Sequence, residues 1–397
     1  MTALDDLVDD MASLLGAPCT LEDTDFRLIA FSGQHRDDPL DLVRQRSILE
    51  RGSSPEIRDW FLDHGIREAT SPVRVRGDAE LGIVSRLCVP VRHRSRLLGY
   101  FWLLDPEERT EARSWPAAME IATAAAALLN LVEGRQTRRD TLFREVTEGG
   151  SAIARRSAGE LATAAGIGVG EEVTCVLVRR PGLVEQVASM PTRAGVLWAR
   201  EDADTATAVV SRKALGTDLS ATGLLSGLGL GRRLRELDRA TLIGVGPLVA
   251  GLDDLFTARS GAAVALRAAE AHGPGSVRRW DDLGVLRLLG VARDDDLRQA
   301  VTTPEMATFL ASGSELVRTV AEFLDAAGSA SLAAARLATH RQTVYHRLRQ
   351  VERLTGCDLG RGEDRLRLHL ALRLAPYVGL CRPPGPATAR DPAPAGG

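Results

Sequence analysis

Lysine is all but missing from this chain of 397 residues: of its 50 basic side chains only Lys213 is a lysine, and the rest are arginine. With Ala and Gly abundant, that bias reads as GC-rich coding sequence, so an arginine-rich stretch needs more than its arginines to be informative. Cysteine is scarce as well. Cys19, Cys88, Cys175, Cys357 and Cys381 are scattered, odd in number and form no CxxC. That argues against a disulfide framework or a zinc knuckle and fits a reducing cytosol. The opening MTALDDLVDDMASLLG is acidic where a signal peptide is basic. No uninterrupted apolar run reaches the roughly 18 residues of a membrane span, TAAAALLNLV at 123–132 being the longest. The expectation is a soluble cytoplasmic protein with no membrane partner. A net charge of −3 gives no whole-molecule attraction to nucleic acid, so any such function must be local.

Signatures of catalysis are missing too. The lone Lys213 follows Arg212 rather than Gly, which excludes a Walker A loop, and there is no HExxH. SGLGLGRR at 226–233 is GxGxG without the spacing of a dinucleotide fingerprint, and reads as a loop. Glu201, Asp202 and Asp204 cluster between two strands, where a solvated turn is the plainer reading. Aromatics such as Phe31 and Trp102 are candidates to line a sensor pocket, though such side chains more often serve as core.

The elements suggest three parts. Leu4, Leu7, Val8, Met11, Leu14 and Leu15 form one face of an opening helix that Gly16 stops. Two strands about Asp23-Thr24-Asp25 follow, then polar helical sequence over 41–64 and a hairpin over 86–105. From about Ala112 to Glu148 an alanine-rich helix continues with few breaks. Strands are expected at 172–180, 194–200, 205–211 and 241–247, with a helix over 253–271. After Asp281 the pattern is helical to Tyr377, including LRLHLALRL at 366–374, which alternates like a strand but has helical composition. The tail 382–397 is Pro/Ala/Gly-rich and expected to be disordered.

One segment answers the demand for local charge. In ATHRQTVYHRLRQVERLTG, 338–356, Val344, Leu348, Val351 and Leu354 form a buried stripe at helical spacing. Gln342, Tyr345, His346, Arg349 and Arg353 fall on the opposite side. The preceding SLAAARLA, capped by Ser331 and with Ala334 and Ala335 at the crossing, makes the pair a helix-turn-helix. Residues 314–377 hold ten Arg against seven acidic residues, a net of +3, while 1–313 carry −7. Arg pairs bidentately with guanine and Gln with adenine in the major groove, and Arg, Tyr and Thr also bind phosphate.

ATHRQTVYHRLRQVERLTGCDL followed by EDRLRLHLALRL resembles the C-terminal helix-turn-helix of the PucR/CdaR family of bacterial transcriptional regulators. The family's run is met here by His340-Arg341-Gln342-Thr343-Val344, then Arg347-Leu348-Arg349, Glu352 and Leu354-Thr355-Gly356. Gln342 stands where the family has Asn; it keeps the amide on a longer stem, so the preferred base sequence is altered. The resemblance implies an α+β multidomain protein. Its parts are a GAF/PAS-like sensor over 1–135 with a linker helix to about 148, a catalytically inert GGDEF-like domain over 155–285, and a DNA reader over 310–377. No Gly-Gly-(Asp/Glu)-Glu-Phe is present; Gly149-Gly150 is followed by Ser151.

The expected function is sequence-specific transcription regulation in response to an unknown small-molecule effector, without cofactor, metal or enzymatic activity. The partners would be double-stranded DNA at a pseudo-palindromic operator and a second copy of the chain in a homodimer or higher homo-oligomer. Arg341 and Gln342 would read bases beside His340, Thr343, Tyr345 and His346, with Arg347, Arg349 and Arg353 on phosphate. The alternative is a nucleotide-binding or nucleotide-cyclising signalling enzyme with an accessory DNA-binding module.

Overall fold

A computed structural model describes residues 3–380 except 34–41, 51, 79, 149–150, 169, 188–192 and, within 218–240, all but 223, 224, 227 and 228. The expected tail at 382–397, the Gly149-Gly150 pair and most of SGLGLGRR lie outside the described residues. The chain divides into two compact units, Met1–Thr137 and Arg138–Gly397. It is a mixed α+β protein with two β-sheets and a C-terminal set of helices.

The first unit begins with α1 (Ala3–Leu15), then β1 (Cys19–Glu22), β2 (Leu28–Phe31), α2 (Leu42–Glu50), α3 (Pro55–Leu62), β3 (Val73–Val75), β4 (Arg86–His93) and β5 (Arg96–Leu104). The polar stretch 41–64 thus makes two helices rather than one. The second starts where Ser54 Oγ accepts from Ile57 N at 3.4 Å and Pro55 presets the first turn. The strands form one antiparallel sheet in the order β2-β1-β5-β4-β3. Period-two alternation gives it two unlike faces. Cys19, Leu21, Leu87, Val89, Phe101 and Leu103 pack with Val8 and Met11 of α1 and with Ala118, Ala122, Ala125 and Ala126. The other face is aromatic and polar, with Tyr100 and Trp102 meeting Phe26 and Phe61. Trp102 is 4 % exposed, whereas Phe31 is 45 % exposed.

Those alanines belong to α4 (Trp115–Glu148), a continuous helix of 34 residues. By length and composition alone the segment Ala112–Glu148 is long and apolar enough to cross a membrane. Its apolar content is spread over many alanines punctuated by Thr and Asn, with no unbroken apolar run of that length.

The second unit adds α5 (Ser151–Ala165), β6 (Val173–Arg179), α6 (Leu183–Val187), β7 (Val196–Arg200), β8 (Thr205–Ser211), α7 (Arg212–Leu215), β9 (Leu242–Val245), α8 (Leu255–Glu270) and β10 (Val277–Arg279). Its sheet runs β10-β9-β6-β8-β7, antiparallel except for the parallel pair β9 and β10. Leu142, Phe143, Leu161, Leu255, Ala262 and Leu266 cover one face; Leu183, Val187, Leu215 and Leu224 cover the other. A Cβ on Gly244 would collide with the backbone of Ala262 and Leu266, so that glycine lets α8 lie directly on the sheet. From its far side α8 lends Val264, Ala265 and Ala268 to the core of the C-terminal helices.

Candidate nucleic-acid interface

Those helices are α9 (Asp294–Val301), α10 (Pro304–Ala311), α11 (Glu315–Asp325), α12 (Ala330–Arg336), α13 (Arg341–Thr355) and α14 (Gly362–Leu374). In α11 Thr319, Val320, Phe323 and Leu324 are buried, the i, i+1, i+4, i+5 pattern of a helix lying on a core. The helix ends where Ala327 and Gly328 turn left-handed and Gly328 N donates to Phe323 O at 2.9 Å, a closing bond of the Schellman type. Three residues later α12 is under way. Its cap is Ser329, whose Oγ accepts from Leu332 N at 3.3 Å, not Ser331 as the sequence suggested. Ala333 and Ala334 are the small buried residues of α12, while Ala335 is exposed.

Ala338, at φ +50, reverses the chain, and Thr339 N donates back to Ala334 O at 3.0 Å. His340 then caps α13: its Nδ1 accepts from Gln342 N at 3.3 Å. Val344, Leu348 and Val351 are buried as the stripe required, but the fourth position is Thr355 and Leu354 is 53 % exposed. The heptad step from Leu348 lands on Thr355, whose hydroxyl is satisfied by Val351 O at 2.8 Å. Gly356, at φ +70, stops the helix. LRLHLALRL is helical, as composition rather than period indicated, and Leu368, Ala371 and Leu374 of α14 close the core over α13.

The opposite face of α13 is open. Arg341, Gln342, Tyr345, His346, Arg349 and Arg353 are all exposed, as is His340, and Thr343 is half-buried. Among the described residues Arg341, Arg349 and Arg353 make no salt bridge within the chain. His346 Nε2 and Gln350 Nε2 lie 3.1 Å apart on this face. Arg347 is different. Its Nη2 pairs with Glu315 Oε1 at 2.7 Å, its Nη1 donates to Thr319 Oγ1 at 3.4 Å, and it is 19 % exposed. Pattern alone could not separate Arg347 from Arg349, because the pairing partner lies 32 residues earlier on α11.

Elsewhere in this unit the acidic cluster is occupied. Glu201 accepts from Arg259 Nη2 at 2.5 Å and from Thr207 Oγ1 at 2.6 Å, and Asp202 Oδ1 accepts from the backbone N–H of Asp204 and Thr205 at 2.9 Å each. These hydrogen bonds hold the Asp202 carboxyl below its ordinary range against the opposing effect of burial.

Residues 316–374 match the family described as the PucR C-terminal helix-turn-helix domain. The chain is 28% identical over 109 residues to the proline-responsive transcriptional activator PutR of Bacillus subtilis, covering 26% of each chain. It is 26% identical over 106 residues to the DNA-binding transcriptional activator AdeR of the same organism, covering 26% of this chain and 25% of that one. The chain therefore spans about a quarter of the length of the curated relatives it matches. Among solved structures, a regulator of polyketide synthase expression from Bifidobacterium adolescentis shares 18% identity at a TM-score of 0.29. That match takes in 60% of this chain and 96% of that one. Capped helix, left-handed turn, and a second helix with a clamped inner face and a free basic outer face agree with the first of these matches: over residues 316–374 the chain carries a PucR-type C-terminal helix-turn-helix domain.

Proposed function

We propose that the chain is a sequence-specific DNA-binding transcription regulator of the PucR/CdaR type, with α13 as the reader in the major groove. One observation carries the reading: Arg341, Arg349 and Arg353 stand exposed on the face opposite the buried stripe and, among the described residues, make no salt bridge. An arginine without a partner in its own chain keeps its donors for phosphate or a base edge. On this reading Arg341 and Gln342 meet bases near the start of the helix, with Tyr345 and His346 one turn on, and Arg349 and Arg353 hold phosphate. His340 and Thr343 flank the entry and reach the backbone. Arg347 positions α13 against α11 instead of touching DNA.

The three-part layout is part of the proposal: a GAF/PAS-like sensor over 1–135, an inert GGDEF-like sheet over 155–285 and the reader over 310–377. Engagement of Glu201 by Arg259 and of Asp202 by backbone amides supports a non-catalytic middle part, since neither carboxylate is free to hold a metal-bound nucleotide. The proline-responsive relative makes a small metabolite the natural class of effector. Self-association brings two readers to half-sites about 34–36 Å apart. Ala124, Ala127 and Leu131, exposed along one side of α4, offer an apolar surface for it.

The test is selection. Full-length protein is incubated with sheared DNA of the producing organism, and bound fragments are sequenced. Enrichment of fragments sharing an inverted repeat, absent with the Gln342→Ala, Arg349→Ala double variant, is the expected result. Folded protein that enriches nothing over input rejects the reading.

A further inference from the structure

Helix α14 carries a second stripe besides the one it buries. Leu368, Ala371 and Leu374 go into the core. Leu366, His369, Leu370 and Arg373, at i, i+3, i+4 and i+7, border a cleft instead. Another wall comes from two short 3-10 turns, Trp280–Asp282 and Gly284–Gly290, where Asp282, Leu283 and Val285 reach the same cleft. Asp325, the last residue of α11, completes it. His369 Nε2 donates to Asp325 Oδ1 at 2.9 Å and so ties α14 to α11 at the cleft's edge. The volume is about 290 Å³, near the lower end of small-molecule sites, about 300 Å³.

Much of the cleft's wall is apolar yet reached by solvent: Leu283 is buried, but Val285 is 44 % and Leu366 62 % exposed. It also holds one cation and one anion whose hydrogen-bonding capacity is unused. Arg373 comes no nearer to a carboxylate than 3.9 Å, at Asp325 Oδ2, and among the described residues its guanidinium makes no hydrogen bond. The Asp282 carboxylate accepts none either. Arg279 Nη1 stands 3.9 Å from it, and the closer contact of Arg279, at 3.4 Å, goes to Asp281. With the cleft open to solvent both charges are hydrated. A ligand that fills it displaces that hydration, and a charge covered without a partner is costly. An anion satisfies Arg373 but strands Asp282; a cation does the reverse; a neutral apolar molecule strands both. A molecule with both charges matches the site.

We propose that this cleft binds a small zwitterion with an apolar body, the chemistry of a free amino acid with an aliphatic or aromatic side chain. Its carboxylate pairs with Arg373, its ammonium with Asp282, and its side chain lies on Leu283, Val285, Leu366 and Leu370. When Arg373 turns to the ligand, Asp325 loses only its longer contact, because His369 stays hydrogen-bonded to it. The bound molecule bridges α14 and the turns at 280–290. Since the buried stripe of α14 closes the core over α13, occupancy stiffens the support of that helix. The inference stands apart from the DNA-binding reading, which concerns the outer face of α13.

Isothermal titration of the full-length protein, without DNA, tests this with L-leucine, L-valine and L-phenylalanine. Each is compared with its N-acetyl form, which lacks the ammonium, and with its primary amide, which lacks the carboxylate; glycine lacks the body. At least one of the three saturates one site per chain, and its blocked forms and glycine bind about tenfold more weakly or worse. Asp282→Asn and Arg373→Gln each cost about tenfold in affinity. Each also erases one distinction: the first variant no longer separates the amino acid from its N-acetyl form, and the second no longer separates it from its amide. Both side chains are more than half exposed, 66 % and 55 %, so neither change threatens the fold. The proposal is overturned if none of the three binds up to about 10 mM, if free and blocked forms bind alike, or if either variant binds as the parent does. A gel shift with the selected genomic fragments separates the two readings. Intact DNA binding without amino-acid binding removes this inference only, and amino-acid binding without DNA binding removes only the regulator reading.

Discussion

Arg347 Nη2 lies 2.7 Å from Glu315 Oε1, tying the middle of α13 to the first turn of α11. Two residues on, Arg349 is exposed and makes no salt bridge among the described residues. The same residue type in one helix therefore serves two purposes, and salt titration separates them. Arg349→Ala lowers the slope of log K against log salt by about one unit, as loss of one phosphate contact does, and weakens all sequences alike. Arg347→Ala leaves the slope unchanged and lowers domain stability by about 0.5–1 kcal/mol, the usual worth of a half-exposed pair. Equal slopes for the two variants in fluorescence anisotropy would refute this division.

Base reading shows up as lost preference, not merely lost affinity. Gln342 and Arg341 occupy the first turn of α13, the end of a recognition helix that reaches base edges. Replacing Gln342 with Ala is expected to cost about 1–3 kcal/mol at the preferred operator and little at variants changed in one base pair. Gln342→Asn shortens the stem while keeping the amide, and shifts the preferred sequence at that position. Binding measured across a single-substitution operator library checks both; a uniform drop at every sequence would assign Gln342 to the backbone.

Much of the reader was legible in the sequence because helix periodicity is a local signal. Val344, Leu348 and Val351 mark the buried side of α13 by their spacing alone. Misplaced details depended on contacts across the fold. Leu354 looked like the fourth core position, but a straight helix drifts past it and Thr355 goes inside. Ser331 looked like a cap until the left-handed turn at Ala327 and Gly328 moved the start of α12 back to Ser329. The burial of Glu22 and Arg86 in the first unit leaves almost no local trace. Glu22 in CTLE and Arg86 in SRLCVPV are single charges at the ends of apolar strands, where solvent exposure is the ordinary expectation. Only antiparallel register puts them on one face with Trp102.

Ala338 is an alanine in a glycine's conformation. Its φ of +50 lies at the reversal between α12 and α13, and an L-residue with a Cβ is strained there. Glycine relieves that strain but gives back part of the gain as chain entropy in the unfolded state. Ala338→Gly is therefore expected to stabilise the protein by about 0.5–1 kcal/mol, and Ala338→Val, β-branched in the same conformation, to destabilise it by more than 1 kcal/mol or so. Urea unfolding monitored by circular dichroism measures both. A destabilised glycine variant would mean that the turn is held by contacts of the Ala338 methyl instead.

Glu22 makes the stability of the first unit depend on pH in an uncommon direction. Burial raises its carboxyl from an ordinary 4.5 to about 7, so between those values the folded protein holds a proton that the unfolded chain has released. Stability from this group is then fully present below about 4.5 and is lost as pH rises through about 7. The charged and titratable neighbours leave that window clear. Cys88 is pushed well above its ordinary range, and Tyr100 is pushed up to about 12. Asp23 is also raised by burial and acts in the same sense, so a substitution at Glu22 must be compared with the parent protein. Glu22→Gln keeps an acceptor for Ser47 and cannot titrate. Relative to this variant, the parent should lose about 2 kcal/mol of unfolding free energy between pH 5 and pH 8, an order-of-magnitude figure from linkage. Parallel stability curves for the two proteins across that interval would show that Glu22 is ionised and solvated at both ends.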